Sequence, residues 1–458
     1  MKASELHTPS FALNAMLGKT LLWLGLVAIP MLFSACSEPI PTREYGFKSE
    51  LMEIKLTEFG YQMYLKGKPF QIKGAAGREY LPKLVAAGGN CVRTWSTAGL
   101  DTLLDVADSL GLKVMVGLDV VPGRLGLDYN NSQLVKEQLD RVKESVLAYK
   151  DHPALLIWSV GNELDLGYSS EGLYQAIDEL AKTVKEIDPL HPVSISVGGR
   201  ENWVNMVAKH CPNIDILALN IFRRMPLVQE QIKNDFLWKG PYLYSEWGNA
   251  GFWEGGYTDW DAPIEQTSSV KSYEMYVSKR NNVFFQNNCL GSFVFYWGNK
   301  QERTHSWFSL FSKEGERTSR YDVIEYIWKN RWPENRAPDI HSIKLEDKEL
   351  GSSVYLQAGE MYKLVFDGSD PENDSLAISW EILEEGDYRN TYGGDKETPP
   401  QKIQDLSFRL DGDTLNFQSP NQTGAYRLFM YVRDTEGGFA SANFPFYVQK
   451  SMQVSFAN

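Results

Sequence analysis

The run A-L-L-I-W-S-V at Ala154–Val160, continued by G-N-E at Gly161–Glu163, decides the fold. Apart from Ser159 it offers no polar residue in alternation, so neither face of this strand is built for water. Strands apolar on both faces belong to parallel sheets covered by helices on both sides. The same texture recurs at Phe70–Gly74, Asn90–Trp95 and Lys113–Leu118 before it, and at Pro192–Val197, Ile214–Asn220, Tyr242–Trp247 and Ser292–Trp297 after it. Helical or irregular connections separate these runs. Leu100, Leu103, Leu104 and Ala107 have i, i+3, i+4, i+7 spacing and Gly111 is a natural stop; a long helical stretch surrounds Leu134–Tyr149; Leu173, Ile177, Leu180, Val184 and Ile187 line one face of another helix. Eight such strands predict a (β/α)8 TIM barrel rather than an open doubly wound sheet, and no G-x-G-x-x-G turn follows the first of them.

Near Trp332 the texture changes. W-P-E-N-R-A-P reads as a boundary, and short alternating strands (Val354–Gln357, Leu364–Asp367, Ala377–Ile382, Tyr426–Val432, Asn443–Val448) then lie between Gly, Asp, Asn and Pro clusters. The expectation is an all-β sandwich of immunoglobulin-like type over 333–458, following a catalytic barrel over 50–332. The sandwich reads as a spacer or packing partner, because it shows no clear aromatic strip. Its turn D-G-S-D-P-E-N-D-S-L (Asp367–Leu376) resembles one in immunoglobulin-like and cadherin-like modules of exported proteins; it lacks full EF-hand ligand spacing and reads as a solvated turn, so no metal is assigned.

The N-terminus is expected to be a processing segment. Leu21–Ala35 is uncharged and apolar, too short for the ~20 residues of a membrane-spanning helix but suited to a signal peptide. Ser34 and Ala35 before Cys36 resemble the bacterial lipobox, with Phe33 where Leu is usual. Residues 1–36 are therefore expected to be a lipoprotein signal ending at a lipidated Cys36, and 37–49 a linker, giving an exported bacterial lipoprotein that touches membrane only through its anchor. Cys91, Cys211 and Cys289 lack metal or redox spacing and read as small apolar residues. A formal net charge of −13 disfavours nucleic acid, whose phosphates need clustered Lys and Arg. No cofactor is implied, and a monomer is expected.

In a TIM barrel the working residues sit at the C-terminal ends of the strands. There the fourth strand presents Asn162 and Glu163, the seventh Glu246, the second Arg93 and the eighth Trp297. Two carboxyl groups converging on one cavity suit glycosidic cleavage, which needs an acid for the leaving oxygen and a carboxylate to attack or to activate water. Trp95, Trp247, Trp253, Trp260 and Trp307 fall near strand ends or in following loops as candidate sugar platforms. Asp119 is a further cleft candidate, and His152 reads as a structural turn residue.

W-S-V-G-N-E and Y-S-E-W-G resemble the paired signatures of the clan A glycoside hydrolases, and D-H-P-A-L-L-I-W is similar to that clan's lead-in to its fourth strand. The resemblance spans about Leu56 to Trp328. Trp247, next to Glu246, reads as a further substrate contact; the resemblance implies Glu163 as acid/base, Glu246 as nucleophile, Asn162 on the substrate 2-hydroxyl, Arg93 orienting the nucleophile, and Trp297 under the reacting sugar. It also implies retention of configuration and a carboxyl separation of about 5–5.5 Å. Phe222 stands where many relatives have a tyrosine, so the nucleophile's support must come from elsewhere, Tyr244 and Tyr296 being at hand. The order of anchor, barrel and sandwich resembles family 158, the endo-β-1,3-glucanases, and the barrel is similar to those of families 2 and 5, which include β-galactosidases, β-mannosidases and cellulases. The expected activity is hydrolysis of a β-linked poly- or oligosaccharide, β-1,3-glucan first. Transglycosylation uses the same pair. A non-catalytic glycan-binding lipoprotein is the rival of another class, and it has no need of both acids.

Overall fold

The computed structural model describes residues 43–168, 170–280, 287–388 and 391–450. Cys36, the expected lipidation site, lies outside them. Eight parallel strands close into a barrel: β1 (Ile72–Ala76), β2 (Cys91–Arg93), β3 (Lys113–Gly117), β4 (Leu155–Asn162), β5 (Val193–Val197), β6 (Ile216–Asn220), β7 (Tyr242–Trp247) and β8 (Cys289–Phe295). β8 pairs with β1 to complete the ring, with Phe293 opposite Gly74. Gly74 has a packing reason: a Cβ there would lie 2.3 Å from the Phe293 ring. The decisive run behaves as its composition demands, with every residue from Leu155 to Gly161 buried.

Helices α1 (Leu81–Ala86), α2 (Leu100–Ser109), α3 (Ser132–Tyr149), α4 (Glu171–Ile187), α5 (Glu201–His210), α6 (Met225–Asn234), α7 (Ser268–Arg280) and α8 (Ser319–Lys329) follow the strands in turn. α2 buries Leu100, Leu103, Leu104 and Ala107, the stripe its spacing predicts. The Asn131 side chain caps α3 by accepting from the Gln133 and Leu134 amides, and Ser170 caps α4 through the Leu173 amide.

The N-terminal reading needs correction. Phe47–Lys48, inside the segment read as a linker, pairs with Met52–Thr57, which pairs with Gly60–Leu65 and then Lys68–Phe70 in a four-stranded antiparallel sheet. Phe70 belongs to this sheet, because Lys66 and Gly67 adopt left-handed φ values of 47° and 77° and turn the chain back; the barrel strand begins only at Ile72. Met52, Ile54 and Met63 share a cluster with Ile72, Leu156, Ile216, Leu243 and Leu290, residues at the starts of barrel strands, so this sheet plugs the barrel's N-terminal end.

Residues 339–449 form two sheets around one core. One contains Lys348–Glu349, Asp339–Leu345, Met361–Ser369, Thr414–Gln418 and Phe408–Asp411; the other contains Ala377–Glu384, Gly424–Arg433, Gly438–Gln449 and Tyr355–Gln357. Arg317–Thr318, just before α8, extends the second sheet by pairing with Gly438–Phe439. Polar bonds tie this sheet to the barrel side: Arg427 Nη2 donates to the Pro263 carbonyl at 2.8 Å, and Asn443 Nδ2 to Glu265 Oε2 at 2.6 Å. Both acceptors are reached from buried side chains, so truncating either would strand a buried polar group.

Candidate active site

The barrel's C-terminal mouth opens into a cleft of about 840 Å³ that contains Asn162, Glu163, Asn220 and Glu246. Successive residues of a regular strand point to opposite faces, yet Asn162 and Glu163 both line this cleft. The register of β4 against β5 shifts between Ser159 and Asn162, and Glu163 takes a left-handed φ of 47° while its amide donates to the Ser196 carbonyl at 2.8 Å. The bulge and the left-handed residue together turn both side chains inward.

Arg93 is the hub. It is buried; Nη1 donates to Glu246 Oε1 at 2.7 Å and to the Ser245 carbonyl at 3.0 Å, and Nη2 donates to Asn162 Oδ1 at 2.6 Å and Ser196 Oγ at 3.2 Å. Trp95 Nε1 gives Glu246 Oε1 a second bond at 2.9 Å. Trp95 thus supplies the support that Phe222 cannot. Tyr244, one of the two tyrosines at hand for that task, is fully buried in the core. Both donors converge on Oε1, so Oε2 is the oxygen presented to the cleft.

Glu163 has a different environment. Asn220 Nδ2 donates to its Oε1 at 3.1 Å and to Asn162 Oδ1 at 3.0 Å, and Asn220 is itself held by Ser245 Oγ at 2.7 Å. Burial first, and the nearby Glu246 charge second, hold the Glu163 carboxyl well above the usual carboxylate range; the Asn220 bond pulls the other way. Because Asn162 Oδ1 accepts from both Arg93 and Asn220, its amide is oriented and Nδ2 is the group turned to a ligand.

Two expected substrate contacts fall elsewhere. Trp297 is 0% exposed, packs on Phe311, Tyr321 and Trp328, and donates to the Tyr80 carbonyl; Trp247 is 1% exposed and belongs to the barrel core. Phe295, the last residue of β8, and Tyr296, just past it, line the cleft, with Tyr296 stacked on Trp95 at 5.9 Å. Of the other tryptophans expected as sugar platforms, Trp95 and Trp253 line the cleft. Trp307 is buried with its Nε1 on the Ala250 carbonyl, and Trp260 packs on Tyr355 and Tyr447 of the sandwich. Asp119 is spent accepting from the Thr97 amide, and His152 accepts from the Ala154 amide in its turn.

The sequence reading missed Asn220, Trp203, Arg200 and the sandwich residues Thr391–Gly394, all of which line the cleft. Asn220 had a signal, a polar residue closing an apolar strand. The sandwich residues had none, since only the tertiary fold brings them there. Among the described residues, three carboxyl groups that could meet at a cation are Asp370, Asp374 and Asp434 of the sandwich turns, with oxygens within 4.8 Å of one another. No helix among the described residues is long and apolar enough to cross a membrane.

Residues 82–307 match the family model described as glycosyl hydrolases family 2, TIM barrel domain. The chain is 26% identical over 219 residues to beta-glucuronidase of Chlorocebus aethiops, covering 41% of this chain and 32% of that protein. It is 28% identical over 160 residues to beta-galactosidase of Photobacterium profundum, covering 30% and 15%. Among solved structures, beta-glucuronidase of Faecalibacterium prausnitzii superposes with a TM-score of 0.47 at 18% identity, covering 61% of this chain and 52% of that one. The chain spans well under half the length of the curated relatives it matches. The closed eight-stranded barrel and the family match set this chain beside the TIM-barrel domains of glycoside hydrolases. Residues 82–307 are similar to the TIM barrel domain of glycosyl hydrolases family 2.

Proposed function

We propose that this chain hydrolyses β-glycosidic bonds of an oligo- or polysaccharide with retention of configuration. The observation that carries the reading is the unequal treatment of two carboxyl groups in one cleft: two N–H donors on Glu246, and a desolvated Glu163 beside it with only Asn220 as a donor. In the first step the Glu163 O–H gives its proton to the glycosidic oxygen. Glu246 forms a bond to the anomeric carbon as the bond to the leaving sugar breaks. In the second step Glu163, now a carboxylate, takes a proton from water, whose oxygen attacks the same carbon and releases Glu246. Asn162 Nδ2 donates to a hydroxyl of the reacting sugar. The sequential barrel and sandwich support β-1,3-glucan as the first substrate to assay, and the apolar run Leu21–Ala35 with Ser34 and Ala35 before Cys36 supports that cysteine as the point of attachment of an exported lipoprotein.

A second substrate class has its own support. Arg200 and Arg224 line the cleft without an ion-pair partner among the described residues, whereas Arg124 and Lys300 are paired with Asp395 and Glu302. Unpaired guanidinium groups suit a uronic acid carboxylate, the sugar type named for the glucuronidase relatives. The test is a panel of β-1,3-glucan, β-glucosides, β-galactosides and β-glucuronides with wild type and Glu246→Ala. Turnover by wild type that survives in Glu246→Ala overturns the mechanism. Selective cleavage of uronides, lost in Arg200→Ala, decides for the second class over β-glucan.

A further inference from the structure

The sandwich does more than pack on the barrel. Residues 391–397 leave it and run along the catalytic cleft, where Thr391, Tyr392, Gly393 and Gly394 form part of the wall. The strap is fastened at several points. Arg303 Nη2 donates to the Thr391 carbonyl at 3.0 Å, and Arg303 Nη1 pairs with Glu397 at 3.0 Å. The Gly394 amide donates to Glu302 Oε1 at 3.1 Å, and Arg124, from the loop after β3, pairs with Asp395 at 2.7 Å. Asp395 also accepts from the Tyr392 amide at 2.9 Å, so the residue that latches to the barrel fixes the turn carrying Tyr392.

What this scaffold presents is aromatic. Tyr392 is 46% exposed and Trp253, from the loop after β7, is 49% exposed, both on the cleft. The Arg124 guanidinium lies 5.1 Å from the Tyr392 ring centroid, and a Cβ on Gly393 would meet Trp253 at 3.4 Å, so the strap backbone abuts the tryptophan. Two large rings left half in water, on a segment tied by ion pairs and backbone bonds, form a rigid surface rather than a frayed loop. Aromatic faces beside a polar cleft match the C–H face of a pyranose and bring much apolar area at little entropic cost.

We propose that Tyr392 and Trp253 form a saccharide-binding subsite, assembled from sandwich and barrel together, that holds a sugar next to the one whose glycosidic bond is cleaved. This rests on the reading of the cleft as a glycosidase site. The subsite makes the sandwich a determinant of substrate length: oligosaccharides gain a contact that a single sugar does not reach.

The test uses the full chain carrying Glu163→Gln, so that ligand is bound without turnover, titrated calorimetrically with β-linked tetrasaccharides (gluco-, galacto- and manno-configured) and with the methyl β-glycoside of the tightest binder. Adding Tyr392→Ala is expected to weaken tetrasaccharide binding about tenfold and methyl glycoside binding far less, with Tyr392→Phe restoring the tetrasaccharide affinity because the ring is kept. Trp253→Ala is expected to act in the same direction. Equal weakening of both ligands, no change with Tyr392→Ala, failure of Tyr392→Phe to restore it, or no tetrasaccharide bound by the parent would each overturn the proposal. Tyr392-dependent binding by a chain whose wild type cleaves no glycoside would instead overturn the hydrolase reading and leave the subsite standing.

Discussion

The mouths of β4 and β7 hold the same side chain and give it opposite surroundings. At β7, Glu246 faces the buried Arg93 guanidinium and the Trp95 N–H. At β4, Glu163 has a single neutral donor, Asn220, and is desolvated beside Glu246. The strands that carry them are both buried apolar runs, so the difference comes from what neighbouring strands supply. Arg93 rises from β2 and Trp95 follows it, whereas Asn220 closes β6. One scaffold thereby gives one carboxyl group a cationic partner and desolvates the other.

Removing the anion is the most damaging way to break this contrast. Glu246→Ala is expected to lower kcat/KM by about 10⁴-fold or more, measured on the best glycoside of the panel, with the fold intact by circular dichroism. Removing the acid is selective. Glu163→Gln should cost about 10²–10⁴-fold on a natural glycoside and much less on an aryl glycoside with an activated leaving group, which needs little protonation; equal losses would deny Glu163 the acid role. A finer change is Trp95→Phe. It deletes one N–H to Glu246 while keeping a ring, and about a 10- to 100-fold loss in kcat/KM is expected.

The smallest effect is on pH. The Glu163 carboxyl must be protonated to act, and its raised value puts the alkaline limb of kcat/KM above the ordinary carboxyl range. The Asn220 bond favours the charged form, so Asn220→Ala should raise that value and move the limb further alkaline. Stability follows the same sign. A carboxyl raised in the folded state binds protons that the unfolded chain has lost, so stability falls as pH climbs from the unfolded value through the folded one. Glu163→Gln does not titrate, and should therefore gain melting temperature over wild type on going from acidic to mildly alkaline buffer.

Much of the barrel was legible because buried parallel strands leave an unbroken apolar record, as Ala154–Val160 does. Glu163, Glu246, Asn162 and Arg93 were legible because the fold confines chemistry to strand ends. Trp297 was misread for a geometric reason. After Phe295 the chain leaves the barrel ladder; Trp297 bonds through its amide to the Ala76 carbonyl with its ring turned into the core, and Tyr296 takes the cleft. A one-residue change of facing exchanges the two, and composition does not record facing. The N-terminal sheet hid behind three short hairpins whose alternation is only half apolar. The strap at 391–397 left no trace, because Tyr392 becomes a cleft residue only through Arg124, Glu302 and Arg303, 88 or more residues away in the chain.

The central claim is that Glu246 forms the covalent bond. Intact-mass and peptide mass spectrometry after incubation with a 2-deoxy-2-fluoro β-glycoside of the preferred sugar tests it most directly. The predicted result is one added sugar per chain, carried on the peptide at Glu246 and absent from Glu246→Ala. A label on Glu163, or full turnover of that reagent's parent substrate with inverted product configuration, would contradict it.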